Sequence, residues 1–332
     1  MAGPRSEPGE LFQSMLTTPV EGRRAWQGAD LAREEWLIPL PEACLAELQA
    51  VAESLRRNPL PTLLLTPDRF ELAACRALMA RVRDILEEGT GLALVDRLPL
   101  ERFSDEEATA LYWLLGSFLS PPVAQKWDGT FIYAVRDTGK TFGDGVRASV
   151  TRADLGFHTD NPMGAAPPEQ VGLLCLMPAR EGGRSRVTSL HAAHNHLLAH
   201  HPQALRRLYG PFYFDRQAEH PPGATPYAHY PVLEFDGALR LRFAETLIRR
   251  GHEKAGEPLG EAGEEAVTAL SEALRRPGAV FEMELERGQM QFLNNRAVAH
   301  SRTAFTEAEA PDGGRHLVRL WFRSKGRRTF DG

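Results

Sequence analysis

The chain has 332 residues, a formal net charge of −5 and 42% hydrophobic residues, enough to bury a large core as one elaborated domain. That charge leaves no basic footprint, which argues against nucleic acid or an anionic membrane as a partner, apart from a local surface patch expected at Arg323 to Arg328. Three cysteines, Cys44, Cys75 and Cys175, fit neither a disulfide framework nor a zinc knuckle and are expected to be reduced and buried.

The first ten residues are polar and rich in Gly and Pro, so a flexible N-terminus over 1–10 is expected. They lack the apolar core of a signal peptide, and no later stretch approaches the roughly 20 apolar residues of a membrane span, so the expected location is cytoplasmic. Leu45, Leu48, Val51 and Leu55 recur at three- and four-residue spacing and predict a helix over 42–57; Leu78, Val82 and Ile85 do the same for 68–88. Residues 11–90 thus read as a helical part packed on a core that occupies 91–328.

Residues 91–95 read as a strand, 105–119 as a helix and 131–135 as another strand. From 171 onward short apolar strands alternate with turns, interrupted by helices over 192–209 and 261–274. This pattern is mainly β with α decoration, and a double-stranded β-helix (jelly roll) flanked by helices is the architecture it suggests. No heptad or self-complementary segment speaks for or against a homo-oligomer.

Two segments imitate other chemistry. Ala134 to Thr141 resembles a phosphate-binding loop but has Ala134 where the first glycine belongs and no helical pattern after it, so a turn is expected. His191, His194, His196, His200 and His201 offer many imidazoles, yet they sit in a helical pattern and are expected to be solvated helix positions.

The chemically decisive stretch is Phe157-His158-Thr159-Asp160-Asn161. In an extended segment residues i and i+2 face the same side, so His158 and Asp160 can converge on one ion while Thr159 faces away. Downstream, Met290 to Leu293 reads as a buried strand that runs into Asn295, Arg296 and His300. Two imidazoles and one carboxylate on one face of a ferrous ion leave positions open for a cosubstrate and O₂. Beyond His300, Arg315-His316-Leu317-Val318-Arg319 alternates so that both arginines share a face. Guanidiniums aimed into an apolar barrel call for carboxylate partners.

With Gly182-Gly183-Arg184-Ser185 between them, these motifs make residues of roughly 90–325 similar to the taurine dioxygenase (TauD/TfdA) family of Fe(II)/2-oxoglutarate-dependent oxygenases, within the clavaminate synthase-like superfamily. The resemblance implies that His158, Asp160 and His300 bind iron, that Ser185 and Arg315 bind 2-oxoglutarate, and that Arg319 lies near an anionic end of the substrate. Ser185 stands where the family has Thr, and Ala299-His300-Ser301 departs from the family's usual Leu-His-Gly. The carboxylate at Asp160 favours oxidation over halogenation, because related halogenases have a small residue there. The implied enzyme is a dioxygenase hydroxylating an unactivated C–H bond of a small carboxylate-bearing molecule, an amino acid or betaine-like acid, with release of succinate and CO₂.

Tyr133, Asn161, Arg242 and Phe243 are further candidates for the substrate pocket, and Asn295 for supporting the tautomers of His158 and His300. Three alternatives remain: a carrier-tethered acyl substrate with desaturation or cyclisation, a catalytically silent metal-binding jelly roll, and a zinc hydrolase.

Overall fold

Alternate residues of the long strands feed two different cores. In the strand Leu92–Asp96, Ala93 and Val95 join one apolar cluster while Leu92 and Leu94 join another; Leu174 and Cys175, or Leu317 and Val318, divide the same way. These strands are buried on both faces, which is why they read as apolar runs. The computed structural model describes residues 15–139, 147–306 and 314–331. The expected flexible segment 1–10 lies outside the described residues, as do Lys140 and Thr141 of the phosphate-loop imitation.

The larger sheet has seven strands. Its path runs Leu37–Pro39, Leu92–Asp96, Met290–Asn294, Gln170–Met177, His316–Phe322 and Pro122–Val123, with Tyr133–Val135 also paired to His316–Phe322. A smaller sheet holds Val280–Met283, Ser185–Ser189, Val298–Arg302 and Leu155–His158 in that order. The inner faces meet in a cluster that includes Leu92, Leu94, Leu293 and Leu317 from one sheet and Val187, Met283 and Val298 from the other. On the outer face of the larger sheet lie Glu42–Arg57, Ala73–Glu87 and Asp105–Ser117, the last begun by a capping box between Ser104 and Glu107. This is the helix-decorated jelly roll.

The helix over 42–57 forms at its expected bounds. The next begins at Ala73 rather than 68, after a short 3-10 turn at Pro67–Arg69, because its cap comes from elsewhere: the Glu47 carboxylate accepts from Ala74 N–H at 2.8 Å and Cys75 N–H at 2.9 Å. The segment 192–209 is two helices, Leu190–His200 and Pro202–Leu208, divided where Pro202 restarts the turn. A helix at Glu245–Ala255 was not legible, because its buried face is narrow and includes Gly251, which lets it approach the backbone of Tyr213. Inside the part expected to be helical, Leu37–Pro39 adds a parallel edge strand.

His191 and His194 are buried rather than solvated. Burial first, then Arg24 and His194 nearby, pushes His191 down to about 4. Nε2 of His194 bonds Leu16 O at 3.2 Å, and Asn195 exchanges two bonds with Val20, so this helix holds the segment from residue 15 in place. Arg323 likewise leaves the expected surface patch: it is 5% exposed and donates to main-chain carbonyls. All three cysteines are buried and free. Among the described residues no helix is long and apolar enough to cross a membrane.

Gly172, in the middle of the larger sheet, faces Tyr112 of the covering helix so closely that a Cβ there would stand 2.2 Å from the phenol oxygen. Gly172→Ala is therefore expected to cost about 1–3 kcal/mol through overpacking, read as a lower urea midpoint at unchanged slope.

Candidate metal centre

His158 ends the strand Leu155–His158 and stands opposite His300, in register, on the neighbouring strand Val298–Arg302. Period two then sends Val298, His300 and Arg302 inward and Ala299 to the outer core. The imidazole rings lie 4.3 Å apart between centroids. Asp160 lies two residues beyond His158, where the regular strand has stopped. Its extension is carried one residue further by Thr159, whose N–H bonds Phe243 O at 2.8 Å.

The side chain of Asn295 then substitutes for a strand partner. Its Oδ1 accepts from Asp160 N–H at 2.7 Å, and its Nδ2 donates to Asp160 O and Pro168 O, each at 3.0 Å. Asn295 thus braces the backbone of the carboxylate residue rather than either imidazole.

Among the described residues His158, Asp160 and His300 are the one group of three or more potential ligands able to meet at a point, with ligand atoms within 4.8 Å of one another. Oδ1 of Asp160 lies 3.5 Å from His158 Nε2 and 3.7 Å from His300 Nε2. Donors about 2.1 Å from one ion at right angles stand about 3 Å apart, so each imidazole needs only a small contraction towards the carboxylate to share a metal with it. Nδ1 of His158 is 2.9 Å from Gly156 O, which assigns its proton and leaves Nε2 to the interior. Nδ1 of His300 is buried with no hydrogen-bond partner. The residues fit a ferrous ion.

The other carboxylate oxygen is fully engaged. Oδ2 of Asp160 accepts from Trp321 Nε1 at 2.7 Å and Arg319 Nη1 at 3.1 Å. Burial alone would raise this carboxyl, but Arg319, His158 and His300 hold it well below the usual carboxylate range. His300 is pushed down by burial and by His158, which keeps its imidazole neutral and able to bind metal. Arg319 is itself fixed by Gln125, whose Oε1 accepts from Nε at 2.8 Å, and by the rings of Tyr133 and Trp321, 4.8 and 4.9 Å from its Cζ. Trp321 and Gln125 escaped the sequence reading. Two-residue spacing from Arg319 could have found the first; nothing in the chain links Gln125 to a partner 194 residues away.

Ser185 and Arg315, the expected cosubstrate residues, are both buried. The Ser185 hydroxyl accepts from Gln291 Nε2 at 2.9 Å, a bond that spans the two sheets. Arg315 lies 5.3 Å from the Phe305 ring and against Gly183, where a Cβ would approach its Nε to 3.1 Å. The Gly-Gly turn before Ser185 therefore brings the two residues to the same end of the barrel.

A cavity of about 280 Å³ opens on the other side of the ligands, lined by His158, Asp160, Asn161, Arg147, Arg275 and Glu245 among others. Asn161 has φ 52° and is 4% exposed. Arg319 also lines the cavity, whereas Tyr133 stacks behind it. Arg242 and Phe243 are not in the lining: Arg242 donates to Pro162 O at 3.0 Å and Gly164 O at 2.6 Å, and Phe243 is fully buried core. Arg242 shapes the loop that follows the ligands.

Residues 58–321 match the model of the family described as taurine catabolism dioxygenase TauD, TfdA family, starting well ahead of position 90. FR-33289 synthase of Streptomyces rubellomurinus (strain ATCC 31215) is 31% identical over 323 residues, covering 95% of this chain and 94% of the relative. Among solved structures, asparagine oxygenase in complex with Fe(II), 2S,3S-3-hydroxyasparagine and succinate superposes with a TM-score of 0.64 at 19% identity, covering 86% of this chain and 93% of that one. The non-haem iron oxygenase OrfP in complex with Fe, succinate and (3S)-hydroxy-L-Arg gives a TM-score of 0.65 at 14% identity, covering 87% and 94%. At these identities the two structures speak for the fold alone.

Because Asn295 bonds both main-chain groups of Asp160, Asn295→Ala should weaken Fe(II) binding by roughly 10–100-fold, the usual cost of losing a group that orients a ligand. Anaerobic Fe(II) titration checks this, and an unchanged affinity would remove Asn295 from that role.

Proposed function

The chain belongs to the TauD/TfdA family and is an Fe(II)/2-oxoglutarate-dependent dioxygenase, and we propose that it hydroxylates a C–H bond of a small amino-acid-like substrate. The observation that carries this reading is the cavity beside His158 and Asp160, whose lining mixes cations and carboxylates. Arg275 is half exposed there, with its nearest carboxylate, Glu245 Oε2, at 3.8 Å. A zwitterion suits this end of the cavity: its carboxylate can meet Arg275, while Glu245, held in place by Arg249 at 3.2 Å and by the Ser271 hydroxyl at 2.6 Å, keeps a negative charge near its ammonium. Free amino acids and betaine-like acids also fit a volume of about 280 Å³. Asparagine oxygenase and OrfP, which share the fold, are held with hydroxylated amino acids.

His158, Asp160 and His300 are the proposed iron ligands, and Ser185 and Arg315 the proposed 2-oxoglutarate contacts. Bound there, iron and 2-oxoglutarate supply the oxidising power that turns O₂ on a C–H bond, with succinate and CO₂ released. The protein's own part is placement and exclusion. Gly156 O sets the His158 tautomer, Asn295 fixes the Asp160 backbone, and Arg315 offers a buried guanidinium to a carboxylate. In the cavity, Arg147 is held by Glu219 Oε1 at 2.8 Å and by Gln125 O at 2.7 Å, so it presents a rigid wall. Arg319 is shared between the metal carboxylate and the substrate side, its charge already balanced by Asp160.

The test is succinate release from L-amino acids and betaine-like acids by Fe(II)-loaded protein, after recording the anaerobic charge-transfer band with 2-oxoglutarate. Substrate-coupled succinate supports the proposal. A normal band with no turnover on any of these acids overturns the substrate class while leaving the cofactors in place.

Two variants separate the residue roles. Arg315→Leu should keep iron but lose roughly 2–5 kcal/mol of 2-oxoglutarate binding, through removal of a charge-assisted clamp, measured by titrating the band. His158→Ala should abolish Fe(II) binding at concentrations that saturate the unaltered protein, checked by metal analysis after gel filtration.

A further inference from the structure

Arg319 and Trp321 stand two apart on one strand and therefore face the same way. Both donate to the same oxygen, Oδ2 of Asp160, while Oδ1 faces the two imidazoles. An oxygen already engaged by two N–H donors cannot join a metal without giving up those bonds. Trp321 is 2% exposed, and its indole needs support from the side away from Asp160. That support is the end of the chain.

Residues after Arg323 turn back and lay Phe330, 5% exposed, against the indole, with rings 6.4 Å apart and 22° from parallel. Arg323 gathers this segment. Its guanidinium donates to Lys325 O and Thr329 O, each at 3.1 Å, to Arg327 O, and also to Ala166 O, in the loop that follows the ligand motif. Ala124 N–H donates to Arg328 O at 2.9 Å, and Arg328 Nε donates to Pro122 O at 2.8 Å, stitching the segment to the neighbouring strand. Asp331 reaches Arg216 at 3.8 Å.

We propose that residues 323–331 form a strap that holds Trp321 on Asp160, and that Trp321 is a positioning residue restricting Asp160 to one oxygen on the metal. The inference rests on His158, Asp160 and His300 being the ligands. Its chemical consequence is a coordination count. A carboxylate free to turn could chelate through both oxygens and take a position that 2-oxoglutarate or O₂ requires. With Oδ2 tied back by the indole, that position would stay open. The strap thereby connects a segment outside the matched family region, which ends at 321, to the geometry of the metal.

The experiment uses the full chain with Trp321→Phe, which keeps a packed ring and deletes the N–H. The metal-free melting temperature is compared first, so that a folding defect is seen directly. The expected result is a roughly 10–100-fold weaker anaerobic Fe(II) affinity, together with an altered charge-transfer band at saturating Fe(II) and 2-oxoglutarate. Affinity within twofold of the unaltered protein and an identical band would overturn the proposal.

Should Trp321→Phe not fold, Phe330→Leu leaves the indole in place and removes its stacked support. A smaller loss of Fe(II) affinity, below roughly 10-fold, is expected, and no loss at all overturns the strap. Purely structural packing would lower the melting temperature in either variant without moving the band. Failure of the unaltered protein to bind Fe(II) would instead overturn the ligand assignment, so the two failures read differently.

Discussion

A carboxylate buried between two apolar sheets governs the arrangement around it. Withdrawing one ionised group from water costs several kcal/mol even after relaxation, and an unbalanced one would shift its protonation instead. An indole and a guanidinium meet Asp160 at Oδ2 and the Asn295 amide meets its main chain, while Oδ1 faces the two imidazoles across the point where a metal would be held. The guanidinium creates a second demand, since Arg319 is also buried and burial lowers its hold on the proton. Gln125 and the faces of Tyr133 and Trp321 meet that demand, and Gln125 O carries it on to Arg147 and Glu219. A polar chain thus runs from the centre towards the rim of an otherwise apolar interior, and each member depends on its neighbour for satisfaction.

The same packing divides the work of the two ends of the barrel. Ser185 and Arg315 gather at one end through the Gly182-Gly183 turn, whose residues have φ of 75° and 66° and sit against Ala304 O and Arg315. The cavity with Arg275 and Glu245 lies on the other side of the ligands and draws its lining from loops and from the start of the helix Glu245–Ala255. Ser185 opens a strand and Arg315 directly precedes one, which holds both in position; the cavity is lined largely by connections, which vary more readily. This division suits a family that keeps one oxidising centre and changes what it oxidises.

Much of this was readable from the chain, for definite reasons. Period two put His158 with Asp160, and Arg315 with Arg319, on shared faces; three- and four-residue spacing gave the helix at 42–57, and the helix read over 261–274 spans Gly260–Arg275. What sequence could not supply came from long-range partners. Glu47 caps a helix begun 26 residues later, Asn295 braces Asp160 across 135 residues, and Gln125 meets Arg319 across 194. His191, His194 and Arg323 depart from expectation for one shared reason. A polar side chain on an amphipathic pattern reads as solvated, yet each of these is paired with main-chain groups or packed in the interior once the chain closes over it. Arg242 and Phe243, expected in the substrate pocket, do other work: one secures a loop and the other fills the core.

The pairing of His300 with His158 has a bearing on how such a chain can change over generations. The pairing already absorbs one extra residue between Leu155 and His158, opposite His300 to Arg302, so what must be kept is the register at the ligands themselves: a slip there would put Phe157 or Ala299, which belong to the outer core, in place of an imidazole. Lengthening the connections that line the cavity does not disturb that register. Indels in this lineage should therefore accumulate around residues 147–154 and 217–226 and be purged from the two short strands, so that new substrates are reached by loop remodelling while the ligand set is inherited unchanged.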